Sequence, residues 1–163
     1  IGMSVDMDRL RTLILHIANH PAVKDLGNTK LYKIIYFIDA KILREAGASL
    51  TGSDFIKYEH GPVPSRGERA IKALEKEGKI SIRQRDCGGF QLSEIVPQVE
   101  SPGVFSSEQK QAIDSVLVEL GAHSAKYLSE ASHHEPAWVY AGMHEKLDET
   151  LMLYGEKEDP VGL

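Results

Sequence analysis

The sequence predicts a mainly helical α+β domain, in which helices pack around a central hydrophobic helix beside a small antiparallel β-hairpin. The first observation is segment 28–45, where apolar residues recur at three- and four-residue steps and cover most of a helix circumference. These residues are Leu31, Ile34, Ile35, Phe37, Ile38, Ile42 and Leu43. The second is the alternation of apolar and polar residues in segments 80–85 and 90–92, around a Gly-Gly turn. A helix that is apolar nearly all round belongs in the centre of a fold.

Two helices are predicted in the N-terminal part of the chain. Asn28 or Thr29 is the expected cap of the central helix, and Gly47 is expected to end it in a left-handed conformation. Segment 5–19 carries a narrower apolar stripe, which predicts an amphipathic helix that Pro21 terminates. Because the linker between the two helices is short, we expect them to be neighbours.

The middle of the chain mixes extended and helical patterns. Segment 55–59 alternates like a short strand, and its first four residues are a candidate third strand for the hairpin. We expect segment 60–64 to be irregular, because its two prolines lack amide donors. Ser65 is the expected cap of a third helix, which Gly78 terminates.

Two further helices are predicted in the C-terminal part. Ser106 or Ser107, followed by Gln109, is expected to cap the first of them. The second is a short helix over residues 124–132. Pro136 then begins the last structured segment.

Length and composition indicate one globular domain. The 163 residues are 42% hydrophobic and 26% charged, and the net charge of −5 disfavours a protein that coats nucleic acid with its whole surface. We expect residues 3–154 to form this domain and residues 155–163 to form a loosely ordered acidic tail. The single Cys87 fits a reducing compartment, the first residues do not resemble a secretory signal, and no stretch approaches the roughly 18 apolar residues of a membrane span. We therefore expect a cytoplasmic protein with no membrane partner.

A basic segment raises one functional hypothesis. A helix that ends at Gly78 and leads into a hairpin resembles the recognition helix and wing of a winged-helix DNA-binding regulator. Its candidate nucleic-acid contacts are Arg66, Arg69, Lys72, Arg83 and Arg85. The alternative is a solvated helix face with charge pairs such as Glu68 with Lys72. A long proline-interrupted segment precedes this helix where a helix-turn-helix needs a tight turn, which disfavours DNA binding.

Candidate metal and catalytic residues are few. His16 and His20 lie four residues apart, but Ile17 stands where a zinc protease helix needs a glutamate. Segment 133–135 adds two histidines and a glutamate without any closely spaced cysteine. Cys87 lies in a Gly-rich turn with no sign of activation, and neither a phosphate-binding loop nor a nucleophile elbow occurs. We therefore expect no catalytic residue, no metal and no cofactor.

Three pieces of the sequence together resemble the Panacea domain of SocA-like antitoxins and phage-associated proteins. The matching positions are Lys30 and Leu31 at the start of the central helix, Gly61, Pro62 and Val63 after the aromatic Tyr58, and Leu128, Ser129, His133 and Trp138 near the C-terminus. The chain departs from the family pattern in having Ser132 for the usual threonine, Pro136 one place early, and two residues between Tyr58 and Gly61. The resemblance spans roughly residues 8–143.

The resemblance implies an antitoxin, a bacterial protein that binds and neutralises a cognate toxin encoded by a neighbouring gene, without a catalytic site. Rigid loops and aromatic anchors suit such an interface. The candidate partner-binding residues are Tyr32, Tyr36, Tyr58, His60, Pro62 and Trp138. In an alternative interpretation the motif is a scaffold, in which segment 61–63 turns the chain, His133 ties that turn to the core and Trp138 fills it. The alternative function remains the winged-helix-like DNA-binding regulator.

Overall fold

The structure, a computed structural model, describes residues 6–155, and the predicted acidic tail lies outside them from residue 156 onwards. The described residues form six helices, α1 Met7–Asn19, α2 Asn28–Ala46, α3 Gly67–Lys76, α4 Ser107–Leu120, α5 Ala125–Ser132 and α6 Pro136–Val139. They also form the strands β1 Phe55–Tyr58, β2 Gly61–Pro64, β3 Ile80–Asp86 and β4 Gln91–Pro97, and a short 3-10 helix, Leu151–Leu153. This architecture confirms the mainly helical α+β prediction. Within residues 6–155, no helix combines the length and apolar character that crossing a membrane requires.

The central position of α2 follows from its apolar pattern. Nearly all of its apolar side chains are buried, and α2 packs against α4, α5 and β2. Gly47 ends it in the left-handed conformation, at φ +83°. The prediction that Asn28 or Thr29 caps the helix is wrong, because Gly27 occupies the cap position without a side-chain hydrogen bond. A Cβ at Gly27 would lie 2.9 Å from the side chain of Leu92, so close packing against β4 favours glycine there.

The expectation that segment 60–64 is irregular is wrong, because most of it forms β2, antiparallel to β1. The register places Lys57 opposite Pro62, and the Lys57 N–H donates to the carbonyl of Glu145 on the outer side, at 2.9 Å. In an antiparallel ladder, when one residue of an opposite pair points its N–H and carbonyl away from the partner strand, the residue opposite does the same. Pro62, and Pro64 two residues on, therefore lack only outward N–H groups, and the ladder loses no hydrogen bond.

The hairpin of β1 and β2 does not join the hairpin of β3 and β4, contrary to the candidate third strand. Residues 144–147 take up the outer edge of β1 instead, with the Leu147 N–H donating to the carbonyl of Phe55 at 2.8 Å. The described residues thus contain two separate two-stranded sheets, β1–β2 and β3–β4. A contact between segments about 90 residues apart replaces the pairing that the local pattern suggested.

Helix caps show where local signals hold and where tertiary contacts override them. Ser106 and Gln109 form a capping box at α4, and Ser124 caps α5, as expected. The predicted cap at Ser65 is wrong, because its N–H donates to the carbonyl of Asp54 at 2.9 Å and keeps it in the extended hairpin. The cap position of α3 passes to Arg66.

Buried polar side chains fix the linkers on both sides of α2. The Asp39 carboxylate accepts hydrogen bonds from the Leu50 N–H, the Thr51 N–H and the Thr51 hydroxyl, at 3.0, 3.1 and 2.5 Å. Burial raises the pKa of Asp39 to about 6, against the effect of these hydrogen bonds. Lys30, only 2% exposed, donates to the carbonyl of Gly121 at 2.6 Å, and burial lowers its pKa.

Candidate protein-binding surface

The turn between β1 and β2 lies directly on α2 and α5. Gly61 has φ +119°, a conformation that L side chains rarely adopt. A Cβ at Gly61 would lie 2.3 Å from the Ser132 hydroxyl and 2.6 Å from Cε of Lys33. Glycine is therefore required here both by the backbone and by the absence of space.

Lys33 anchors the hairpin from below. Its side chain is 1% exposed, and its ammonium group donates to the carbonyl of Pro62 at 3.0 Å. Because no carboxylate compensates for the loss of solvent, burial lowers the pKa of Lys33 to about 8. The outward carbonyl of Pro62 thus receives its hydrogen bond from a side chain of the core.

Two aromatic side chains hold the turn from the side. His133 Nε2 donates to the carbonyl of Glu59 at 2.9 Å, and Trp138 Nε1 donates to the carbonyl of Tyr58 at 3.1 Å. The two rings stack with their centroids 4.2 Å apart. These contacts correspond to the scaffold interpretation of the motif, in which His133 ties the turn to the core.

Lys57 connects the hairpin to the segment after α6. Its ammonium group lies 4.0 Å from the centroid of the Trp138 ring and donates to the carbonyl of Ala141 at 3.1 Å. The Lys57 carbonyl accepts from the N–H of His144, which has φ +67°. The backbone of this segment is therefore held at several points against β1.

These contacts join the turn to the segment after α6, and we name the exposed apolar and aromatic side chains of the two segments the hairpin–helix surface. It consists of Tyr58, His60, Val139, Tyr140, Met143 and His144. Tyr140 is 77% exposed and Tyr58 is 43% exposed, while the rings of Tyr58 and His144 lie 5.2 Å apart. Exposed apolar clusters on an ordered backbone are typical of protein-binding sites.

The predicted partner-binding residues divide between this surface and the interior. Tyr58 and His60 are exposed on the turn, and the half-buried Trp138 is joined to it by the hydrogen bond to the carbonyl of Tyr58. Tyr36 and Pro62 are buried, which corrects their assignment as surface anchors.

Tyr36 is a core residue of a buried polar cluster. Its hydroxyl donates to the carboxylate of Glu135 at 3.2 Å, and Glu135 also accepts from Arg44 at 2.8 Å. Burial, followed by the negative charge of Glu135, raises the pKa of Tyr36. Tyr32 lies half-buried beside Gly67, and burial together with the charge of Glu68 raises its pKa to about 12.

The family-motif positions are structural. Lys30, Leu31, Gly61 and Pro62 are buried, and Val63 and His133 are partly buried. The exposed residues Tyr140 and Met143 escaped the sequence analysis. A usable signal was present, because Val139 ends a helix of only four residues, and Tyr140 and Met143 follow it without continuing an apolar stripe.

Three of the residues predicted to contact nucleic acid lie beside carboxylates of neighbouring acidic residues. Arg83 pairs with Glu94 at 2.6 Å, and Arg85 pairs with both Glu94 and Asp25. Lys72 lies 3.8 Å from Glu68 along α3, as the alternative of a solvated helix face proposes. Arg66 and Arg69 are exposed on the same part of the chain. Positive charge is therefore interleaved with negative charge, and DNA binding stays a prediction.

The two N-terminal histidines share one carboxylate. His16 Nε2 lies 2.7 Å and His20 Nε2 lies 3.7 Å from Asp114. His20 Nδ1 accepts from the N–H of Ala22 at 3.1 Å, so in its neutral form the proton sits on Nε2 and that nitrogen has no free lone pair for a metal. In residues 6–155, no group of three His, Cys, Asp or Glu side chains has an arrangement that could hold a metal ion.

A groove of about 360 Å³ lies between α2, α4 and α5, with Phe37, Val116 and Leu120 among its lining residues. Its two cations already have partners, because Lys41 pairs with Glu45 at 2.9 Å and Arg44 with Glu135 at 2.8 Å. Among its described lining residues, the groove therefore offers no unpaired cation to a ligand, whereas the hairpin–helix surface offers exposed aromatic side chains to a partner.

Comparison with known proteins gives one match. The family model described as "Antitoxin SocA-like, Panacea domain" matches residues 31–139, about two thirds of the chain. No curated protein and no solved structure matches the chain. The matched span contains the buried positions beneath the turn, and it ends at Val139, before Tyr140 and Met143.

Proposed function

Because the chain belongs to the family of SocA-like antitoxins with a Panacea domain, we propose that it binds a cognate toxin protein and neutralises it by direct protein–protein contact. The toxin is expected to be the product of a neighbouring gene. Family membership supports the antitoxin role in general, and the hairpin–helix surface is the place to which we assign the toxin contact.

The observation that carries this proposal is the exposure of Tyr140 and Tyr58 on a backbone held by the core. Large aromatic side chains contribute a disproportionate share of the binding energy at protein interfaces. The hydrogen bonds from Lys57, His133 and Trp138 already fix the backbone segments that carry these exposed tyrosines. Binding therefore requires little further ordering of the backbone, which lowers the entropic cost of association.

The proposed division of labour separates scaffold from recognition. Lys33, Gly61 and His133 position the turn, and their contacts are internal to the domain. Tyr140 and Met143 point to solvent and lie beyond the matched span. On this account the motif maintains the platform, and the exposed side chains choose the toxin.

The proposed mechanism is occlusion without covalent chemistry. A bound antitoxin covers the working surface of the toxin, and protection lasts only as long as the complex does. Growth rescue must therefore follow the molar ratio of antitoxin to toxin, whereas a catalyst would protect at ratios far below one.

Co-expression of the chain with each neighbouring open reading frame tests the proposal. Host growth and co-purification are scored together over a range of expression ratios. The proposal expects one toxic neighbour whose toxicity disappears at equimolar expression and which co-purifies with the chain. It is overturned if no neighbour is both toxic and bound, or if rescue persists at strongly substoichiometric levels of the chain.

A further inference from the structure

Each two-stranded sheet has two edges, and the hairpin of β1 and β2 has both edges closed. Residues 144–147 pair with the outer edge of β1, through bonds such as Lys57 N–H to Glu145. On the other edge, Pro62 and Pro64 offer no outward N–H group, and Lys33 donates to the Pro62 carbonyl. No further strand can add to this sheet by regular backbone pairing.

The hairpin of β3 and β4 is closed on the β4 side. The N–H of Ile95 donates outwards to the carbonyl of Leu26 at 2.8 Å. Gly27 also packs against β4, because a Cβ added there would lie 2.9 Å from the side chain of Leu92 and 3.5 Å from the carbonyl of Ser93. The linker before α2 therefore covers this edge from Leu92 to Ile95.

The outer edge of β3 is open. Ile82 lies opposite Ile95, whose backbone N–H points outwards, so the backbone groups of Ile82 point outwards on the other side. The same holds at every second residue, for Gln84 and Asp86. Among residues 6–155, no group bonds to the N–H or carbonyl of these three positions. Three of the four sheet edges are thus closed, and this one is available.

The side chains along the open edge of β3 indicate which charge a strand paired with it should carry. Arg83 and Arg85 lie two residues apart and share one face of the strand. Arg83 pairs with Glu94, and Arg85 pairs with Glu94 and with Asp25, yet the two arginine side chains remain 60% and 37% exposed. A strand added to β3 would place its own side chains about 5 Å from these arginines, where acidic residues are favoured and basic ones are not.

A second copy of the chain fits this edge poorly. Antiparallel pairing of the whole of β3 with itself places Arg83 opposite Arg83. Shifting the register by two residues places Arg83 opposite Arg85 twice. Like charges directly opposite each other destabilise a strand pair.

We propose that the outer edge of β3 is a second docking site, which accepts by strand addition an extended segment of a partner protein with acidic side chains at alternate positions. Backbone hydrogen bonds to Ile82, Gln84 and Asp86 give the affinity, and Arg83 and Arg85 give the charge preference. The site shares no residue with the hairpin–helix surface, and it stands or falls independently of toxin binding there.

A labelled nine-residue peptide of alternating glutamate and threonine is the direct probe, with lysine replacing glutamate in the control peptide. Fluorescence anisotropy at two salt concentrations measures binding to the full chain. The glutamate peptide is expected to bind and to weaken with salt, and the lysine peptide is not. NMR hydrogen exchange should show new protection at the N–H groups of residues 82, 84 and 86, with residues 81, 83 and 85 unchanged.

Two proline variants separate the open edge from the closed one. Gln84→Pro removes an outward N–H from β3, and Ser93→Pro removes one from the directly opposite position on β4. Both also lose the side-chain bond between Gln84 and Ser93, which makes them matched controls. We expect at least a tenfold loss of affinity for Gln84→Pro and less than a twofold change for Ser93→Pro.

A charge variant keeps the proposal testable if a proline variant fails to fold, as circular dichroism would reveal. Arg83→Glu with Arg85→Glu should invert the preference towards the lysine peptide. The proposal is overturned by equal affinity for both peptides, by no binding at millimolar peptide, or by protection without the alternate pattern. It is equally overturned if edge protection appears in the free protein and grows with its concentration, because a second copy is then the occupant.

Discussion

The two β-hairpins of this protein differ in how the rest of the chain covers their edges. The hairpin of β1 and β2 lies on α2 and α5 with both edges closed, and it supports the hairpin–helix surface. The hairpin of β3 and β4 projects an exposed turn with Phe90 61% exposed, and it leaves the edge of β3 open. Alternation of apolar and polar residues thus predicts a strand, whereas the surrounding chain decides whether the edge of that strand is closed or open.

Replacing a glycine in each turn gives the largest expected contrast. Gly61→Ala meets Ser132 and Lys33 at positive φ, and we expect it to lower the free energy of unfolding by about 4 kcal/mol. Gly88→Ala has φ +65° but open space around it, and we expect a loss of about 1 kcal/mol. Urea unfolding of both variants measures the difference, and similar losses would mean that the first hairpin is not seated on the core as described.

The buried ammonium group beneath the first hairpin predicts a dependence of stability on pH. The pKa of Lys33 falls from 10.5 to about 8 on folding, so between these values the unfolded chain binds more protons. The contribution of Lys33 to the free energy of unfolding therefore rises as pH increases from about 8 to 10.5, by about 3 kcal/mol in total.

Lys33→Met removes this titration and keeps an unbranched side chain that is one atom shorter. The difference in free energy of unfolding between the wild type and Lys33→Met, followed by chemical denaturation from pH 7 to 11, should therefore shift in favour of the wild type. A difference that is constant over this range would contradict the burial of a lysine with a lowered pKa.

Removing one hydrogen bond from the first hairpin should have a smaller effect. Trp138→Phe keeps an aromatic ring against His133 but loses the donor to the carbonyl of Tyr58. We expect a decrease of about 1 kcal/mol in the free energy of unfolding. Thermal unfolding measures it, and an unchanged midpoint would show that water replaces the indole donor without cost.

The smallest effect is expected on the open hairpin. Arg83→Ala removes a pair with Glu94 whose arginine side chain is 60% exposed, and solvent screens such pairs. We expect a change of less than about 0.5 kcal/mol in the free energy of unfolding. A loss larger than about 1 kcal/mol in urea would show that this edge is a structural element and not a free one.

Periodic patterns in the sequence predicted the helical part of the fold. The apolar residues of α2, the stop at Gly47 and the capping box at Ser106 depend on neighbours within one or two turns, so local chemistry determines them. The prolines of β2 misled the prediction because their effect depends on which side the backbone N–H faces. That side is set by pairing with β1 and with residues 144–147, which no local pattern reveals.

The candidate site was predicted only in part, for a related reason. Tyr58, His60 and Trp138 are near one another because the motif forms the turn that unites them. Tyr36 was wrongly assigned to the partner-binding surface, because its buried hydroxyl donates to Glu135, a residue almost one hundred positions away in the sequence. The contribution of Lys57 was missed since nothing around it in sequence points to Trp138.

Host growth under co-expression tests the proposal that the hairpin–helix surface neutralises the toxin. Host growth is scored during equimolar co-expression of the toxin with the Tyr58→Asp, Tyr140→Asp double variant. It is scored separately with Phe90→Asp, which changes an aromatic residue on the other hairpin whose exposure, 61%, lies between those of the two tyrosines. We expect the double variant to fold, as circular dichroism would report, but to lose rescue and co-purification, while Phe90→Asp protects like the wild type. Full rescue by the folded double variant would overturn the assignment of toxin binding to the hairpin–helix surface.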